Sequence, residues 1–108
     1  MLEQSVLKSV QNYLATLVDN GIDVERAIVF GSQVTGRAHV WSDIDLLVVS
    51  SHFDDMKDRS ILNLLWRLAA RTDSRIEPLL CGSRQWREDD AGILVDIARR
   101  EGEEIAIN

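Results

Sequence analysis

Cysteine is nearly absent from this 108-residue chain, with Cys81 the only thiol. An internal disulfide is therefore excluded, as is a cysteine-rich zinc site. Cys81 is expected to be a small apolar side chain buried in a strand. Proline is as scarce, with Pro78 alone, and no low-complexity tract, internal repeat or linker-like stretch interrupts the chain. Long hydrophobic runs are missing too. Residues 1–10 carry Glu3 and Lys8 among their apolar neighbours, and no run elsewhere is long enough to span a bilayer, so no membrane partner and a cytoplasmic location are expected. Positive charge is in deficit: 12 Lys and Arg stand against 18 Asp and Glu, a net charge of -6. That balance argues against a long nucleic acid as ligand, because nonspecific affinity comes from neutralising phosphates with basic side chains. The two histidines, His39 and His52, lack the paired spacing of a metal site and read as surface or loop residues.

What is present is an ordinary globular composition, 45% hydrophobic and 28% charged, with no signature of disorder. A chain of this length buries roughly 60–65% of its unfolded surface, which suffices for one core and not for two; a single domain over residues 1–108 is expected. Val6, Leu7, Val10, Tyr13, Leu14, Leu17 and Val18 recur at spacings of three and four and predict an amphipathic helix over 2–19, stopped by Asn20-Gly21. Residues 27–30 read as a buried strand that ends abruptly at Gly31, and 31–42 as a loop with room for one helical turn. Residues 44–49 are a second apolar strand. A second helix is predicted within 52–71, with Ile61, Leu64, Leu65, Leu68 and Ala69 on one face, Asp54, Asp55 and Asp58 at its positive end, and Arg67 and Arg71 at the other. Residues 75–81 read as a third strand, in which Pro78, with no N–H for a ladder, favours an edge position or a strand end. A last helix over 92–100 stops near Gly102. This order predicts an α/β (α+β) domain, a small mixed β-sheet with helices packed on it.

Chemistry concentrates at two places. Asp43 and Asp45, at i and i+2 on a strand, project from one face, while Ile44 and Leu46 face the core. Two like charges this close raise one another's proton affinity unless a cation lies between them. Magnesium is the hard cation that joins one or two carboxylates to substrate phosphates. Gly31-Ser32, at the end of the preceding strand, combines a sharp backbone turn with open amides and a hydroxyl suited to a phosphate, and Gly36 adds freedom in the same loop. Neither element alone is specific. Their combination is: Gly-Ser after a strand, ten residues, then Asp-Ile-Asp opening the next strand.

Through Gly31-Ser32-Gln33-Val34-Thr35-Gly36 and Ser42-Asp43-Ile44-Asp45-Leu46, the chain resembles the minimal nucleotidyltransferases of the DNA polymerase beta superfamily, most strongly over residues 28–49. The resemblance implies a polymerase beta palm-like fold and transfer of a nucleoside monophosphate, AMP from ATP first among them, to a hydroxyl, with two magnesium ions. It implies Asp43 and Asp45 as metal ligands, Gly31 and Ser32 as the triphosphate cradle, and a third carboxylate, best matched by Glu77, holding the metal on the attacking side and helping to deprotonate the acceptor. It also implies a partner, in relatives of this size often an all-helical (HEPN-type) toxin for which the small transferase is the antitoxin; a homo-oligomer stays open. The tail from Trp86 to Ile107 resembles small stand-alone members only loosely. Gln33 stands where many relatives have arginine, and Trp41 where many have a polar residue.

Other readings fit parts of the same residues. A haloacid dehalogenase-type phosphatase carries Thr or Val two residues after its second aspartate, where this chain has Leu47, and a calcium loop needs further ligands where it has Leu47 and Val48. Asp43 and Asp45 could also be a solvated pair, Glu77 an exposed strand residue and Ser42 a turn residue, and Arg37 and Arg75 could contact phosphate, although either is more often a solvated charge. Trp41, Trp66 and Trp86 read as packing residues, with Trp41 near enough in sequence to stack on a base or a partner. Two functions remain from the sequence: a magnesium-dependent nucleotidyltransferase, or a noncatalytic antitoxin that neutralises a helical partner by direct binding. Transfer to a small molecule such as an antibiotic is weaker, since no second domain is evident to enclose it.

Overall fold

A computed structural model describes residues 2–39, 41–57, 59–88 and 91–107. The first helix, α1 (Gln4–Asp19), buries Val6, Val10, Tyr13, Leu14 and Leu17, the stripe that the sequence spacing marks out. Gly21, at φ 84°, ends it. The Ile22 N–H reaches back to Leu17 O and the Gly21 N–H to Val18 O, which satisfies carbonyls the helix leaves open, and Ile22 and Leu17 both enter the core.

Strand β1 (Arg26–Phe30) leads through the short helix α2 (Ser32–Thr35) to β2 (Ile44–Ser50). The next long helix, α3, spans Ser60–Thr72 and not the predicted start near His52. The cause is local. Ser50 accepts a hydrogen bond from the His52 N–H and winds Ser51–Phe53 into a single tight turn, which drops Phe53 into the core. Asp54 and Asp55, expected on the positive end of α3, serve another helix: Asp54 Oδ1 accepts from the Arg84 N–H at 3.0 Å, at the start of α4 (Ser83–Arg87), and Asp55 pairs with the Arg84 guanidinium at 2.6 Å. Asp58 lies outside the described residues. Strand β3 (Ile76–Gly82), helix α5 (Ile93–Glu101) and the two-residue strand β4 (Glu103–Glu104) complete the chain; α4 and β4 have no counterpart in the sequence reading.

The sheet order is β3-β2-β1-β4, with β2 and β3 parallel and the other pairs antiparallel, so the sheet is mixed as expected. Alternation divides the core. Ala27, Val29, Ile44, Leu46 and Val48 meet α1 and α3 on one face, and Ile28, Phe30, Leu47, Val49 and Cys81 meet Val95 and Ala98 of α5 on the other. The Tyr13 hydroxyl donates to Leu65 O at 2.9 Å, tying α1 to α3 inside the first core; a bond of this kind contributes about 1 kcal/mol.

Pro78 sits on the edge strand. Because the Ile44 N–H donates to Arg75 O, backbone groups of Arg75, Glu77 and Leu79 face β2, and those of Ile76, Pro78 and Leu80 turn outward. The missing N–H of Pro78 therefore costs no ladder bond, and the Ile76 N–H is already taken by Asp73 O. The edge is poor in donors for a further strand.

Candidate active site

Strand β1 ends at Gly31 with φ 77° and ψ -148°, a conformation that only glycine adopts without strain. Glycine is required there for a second reason: a Cβ would collide with Asp45 Oδ2. The chain turns directly into α2, whose Val34 and Thr35 N–H groups both donate to Gly31 O, and Gly36 closes it at φ 78°. The turn carrying Gly31-Ser32 thus lies against one of the predicted carboxylates.

That carboxylate has the others beside it. Asp45 is paired across the ladder with Phe30 on one side and with Glu77 on the other. Asp43, one residue ahead of β2, is exposed and shares the face of Asp45, whereas Ile44 and Leu46 are fully buried on the opposite face. Glu77 stands beside Asp45 in the parallel register, near enough to both aspartates for their charges to act on it. Burial first, and then the charge of Asp43, raise the proton affinity of Asp45. Glu77 is raised too, by burial and then by the charges of Asp43 and Asp45. None of the ion pairs among the described residues engages these three: they join Arg26 to Glu104, Arg75 to Asp73 and Arg84 to Asp54 and Asp55. The result is an uncompensated acidic cluster of hard oxygen donors at one end of the sheet. Among the described residues no group of three or more His, Cys, Asp or Glu side chains is arranged so as to hold a metal ion; what fits a hard cation is the donor chemistry of the carboxylates and their unrelieved charge.

Around the carboxylates opens a cleft of about 270 Å³, lined by Phe30, Asp45, Trp66, Glu77, Pro78, Leu79 and Leu94. Its apolar walls come from four elements that meet only in the fold. A comparable hollow between α1 and residues 106–107 is lined by Gln11, Asn12 and apolar groups and has no titratable side chain.

The family model of the nucleotidyltransferase domain matches residues 7–104, from α1 to β4. This chain belongs to the nucleotidyltransferase domain family. A solved structure described as a toxin-antitoxin with AMP-PNP is similar to this nucleotidyltransferase domain in fold, with a TM-score of 0.60 and 22% identity over 91% of this chain and 73% of that one. No curated protein matches the chain in sequence. No helix among the described residues is long and apolar enough to cross a membrane.

Within the nucleotidyltransferase domain, the structure brings Gly31, Asp43, Asp45 and Glu77 together as the sequence grouped them, with Ser32 adjoining Gly31. Ser42 is a turn residue, its Oγ accepting from the His39 N–H at 2.9 Å and its own N–H donating to His39 O. Trp86 packs as expected, with the guanidiniums of Arg26 and Arg99 at 5.4 and 4.7 Å from its ring centre. Trp41 does not: it is 82% exposed. Trp66 is a correction as well, 44% exposed at the cleft. Trp41 stands in the turn before β2 and Trp66 on α3 at the cleft, outside both cores. Gln33 escaped the sequence reading as a site residue, and its hydrogen bonds to the segment entering β2 could not be inferred from spacing.

Arg75 is occupied elsewhere than at a phosphate. Its backbone N–H and Nε donate to Asp73 Oδ1, and Nη2 to Asp73 Oδ2 at 2.7 Å, a clasp that sets the start of β3 two residues before Glu77. The Arg75 guanidinium is the main reason the Asp73 carboxyl is lowered from 3.8 to about 2. A carboxylate lowered by folding contributes stability that is present above its ordinary value and lost as pH falls through the lowered one. Wild type should therefore lose this contribution between about pH 4 and pH 2, and Asp73→Asn should be less stable at neutral pH with a flatter acid limb. Denaturant titrations at a series of pH values measure both; parallel acid limbs would refute the assignment.

Proposed function

We propose that this domain is a magnesium-dependent nucleotidyltransferase that moves a nucleoside monophosphate, AMP from ATP, to a hydroxyl on a partner protein, in the cytoplasm. The observation that carries the reading is the β2–β3 register, which sets Glu77 beside Asp45 with Asp43 on the same face and the Gly31 turn against them. Asp43 and Asp45 would hold the metals, with Glu77 on the acceptor side. Bound there, magnesium would offset the acidic cluster and stabilise charge on the attacking and leaving oxygens. Gly31 and Ser32 orient the triphosphate through backbone amides and hydroxyl. A carboxylate oxygen of Glu77 accepts the proton of the acceptor hydroxyl, for which its raised proton affinity suits it. The apolar wall of Phe30, Leu79 and Leu94 gives a substrate group a dry surface beside the carboxylates.

The domain is small, and its cleft is open at Trp66 and Leu94, so a partner has to complete the enclosure. The fold neighbour, from a toxin-antitoxin with AMP-PNP, supports both a nucleotide and a protein partner. An all-helical, HEPN-type toxin is the partner this reading favours. A noncatalytic antitoxin is the second reading, and large apolar side chains left in water favour it: Ile93 is 79% exposed, and Trp41 more so.

Titration calorimetry of ATP into the wild-type domain and into Asp43→Asn/Asp45→Asn, with and without magnesium, tests the first reading. Magnesium-dependent binding in the wild type and none in the variant is the expected result. Binding that persists in the variant removes the carboxylates from the site. The same variant tested for neutralisation of a toxin partner separates the readings, since an enzyme loses the effect and a steric binder keeps it.

A further inference from the structure

Asp43 is the least supported of the three carboxylates. It precedes β2 and so has no ladder partner of its own, and the described residues leading to it, 37–39, 41 and 42, form neither helix nor strand. One side chain from outside that segment grips it. Gln33 Nε2, on α2, donates to Ser42 O at 3.2 Å and to Asp43 O at 3.1 Å. The same residue is two positions from Gly31, so one amide ties the segment carrying Asp43 to the turn that lies against Asp45.

We propose that Gln33 is a positioning residue, a clamp whose two hydrogen bonds fix Asp43 relative to the Gly31-Ser32 turn and thereby set the affinity of the acidic cluster for a divalent cation. The proposal rests on the metal-binding reading given above. Its chemistry is specific to a donor. The two groups gripped are carbonyl oxygens, which accept hydrogen bonds and which the two N–H donors of the side-chain amide can bridge; a carboxylate of the same shape would face them with oxygen against oxygen.

Gln33→Glu is therefore the informative variant. It keeps the shape of the side chain, removes both donors and adds a negative charge beside a cation site. Charge alone would strengthen cation binding, so weaker binding can come only from lost positioning. Gln33→Met removes the donors with no charge change. The experiment measures the Mn2+ dissociation constant of wild type and both variants by calorimetry, together with Tm and with backbone 15N order parameters for residues 41–44. The expected result is an affinity for Mn2+ roughly tenfold weaker in both variants, the loss of about 1.4 kcal/mol of net positioning. Order at Ser42 and Asp43 should fall while Tm changes little, because Gln33 is outside both cores. A Gln33→Glu protein that binds Mn2+ as well as wild type, or one that keeps its order at Ser42 and Asp43, overturns the clamp. Wild-type protein that binds no Mn2+ overturns the underlying metal reading instead, and does so before any variant is compared.

Discussion

Gly31→Ala should melt on the order of 10 °C below wild type and lose magnesium-dependent nucleotide binding. Two costs coincide at this position. The backbone at φ 77° and ψ -148° is closed to a side chain, a strain of about 1–3 kcal/mol, and the new methyl would drive into Asp45 Oδ2. In a domain of this size each kcal/mol lowers Tm by about 4–8 °C. Relief requires Asp45 to move, and Asp45 is paired with Glu77 across the ladder, so the disturbance reaches the whole cluster. Gly36→Ala is the control. Its φ is also positive, at 78°, but nothing lies within 4 Å of the added methyl, so it carries strain without collision and should fall less and keep binding. Calorimetric melting of both variants decides the matter; equal losses would mean that the approach to Asp45 contributes nothing.

Asp45→Asn should do the opposite to stability and the same to function. Burial and the neighbouring Asp43 make ionisation of Asp45 unfavourable in the fold, and Glu77 shares the penalty. A carboxyl raised by folding favours the folded state below its ordinary value, 3.8 for Asp45, and loses that advantage as pH rises through the raised one. At neutral pH the wild type therefore carries an uncompensated repulsion that asparagine removes. Because the group is half-exposed, screening keeps the gain to roughly half a kcal/mol, a few degrees in Tm. On the proposed function, transfer activity should drop at least about a hundredfold, the scale for losing one preorganised electrostatic group. Melting curves at pH 7 and pH 3 check the sign: the gain should be present at the first and vanish at the second. Stability sacrificed at the reacting groups is expected of a functional site. A variant no more stable than wild type at pH 7 would place a compensating cation or side chain against Asp45 in solution.

The features that depend on neighbours in the chain were legible in the residues. The stripe from Val6 to Leu17 and the Asn20-Gly21 stop correspond to α1 and its cap. The alternation Asp43-Ile44-Asp45-Leu46 divided carboxylates from core correctly, because period two is a property of the strand itself. Pro78, for want of an N–H, pointed to a sheet edge or a strand end and lies on the edge strand, and Cys81 is buried in β3. Spacing could not supply what depends on distant partners. Asp54 and Asp55 resemble a helix start in sequence, yet the N–H and guanidinium they meet belong to Arg84, about thirty residues on. Strand β4 consists of Glu103 and Glu104, with no apolar pattern, and exists because Ile28 and Val29 offer it a free edge.

The same division runs through the site. Sequence by itself determined the residue types: a glycine for the turn, two aspartates on one face, a glutamate on a later strand. Tertiary structure alone decided that β3 lies parallel to β2 in the register that pairs Asp45 with Glu77, that Trp66 and Leu94 from separate helices wall the cleft, and that Gln33 grips the entry to Asp43. Local conformational preference acts over a few residues, whereas strand register and cleft walls are fixed by the burial of side chains far apart in the chain.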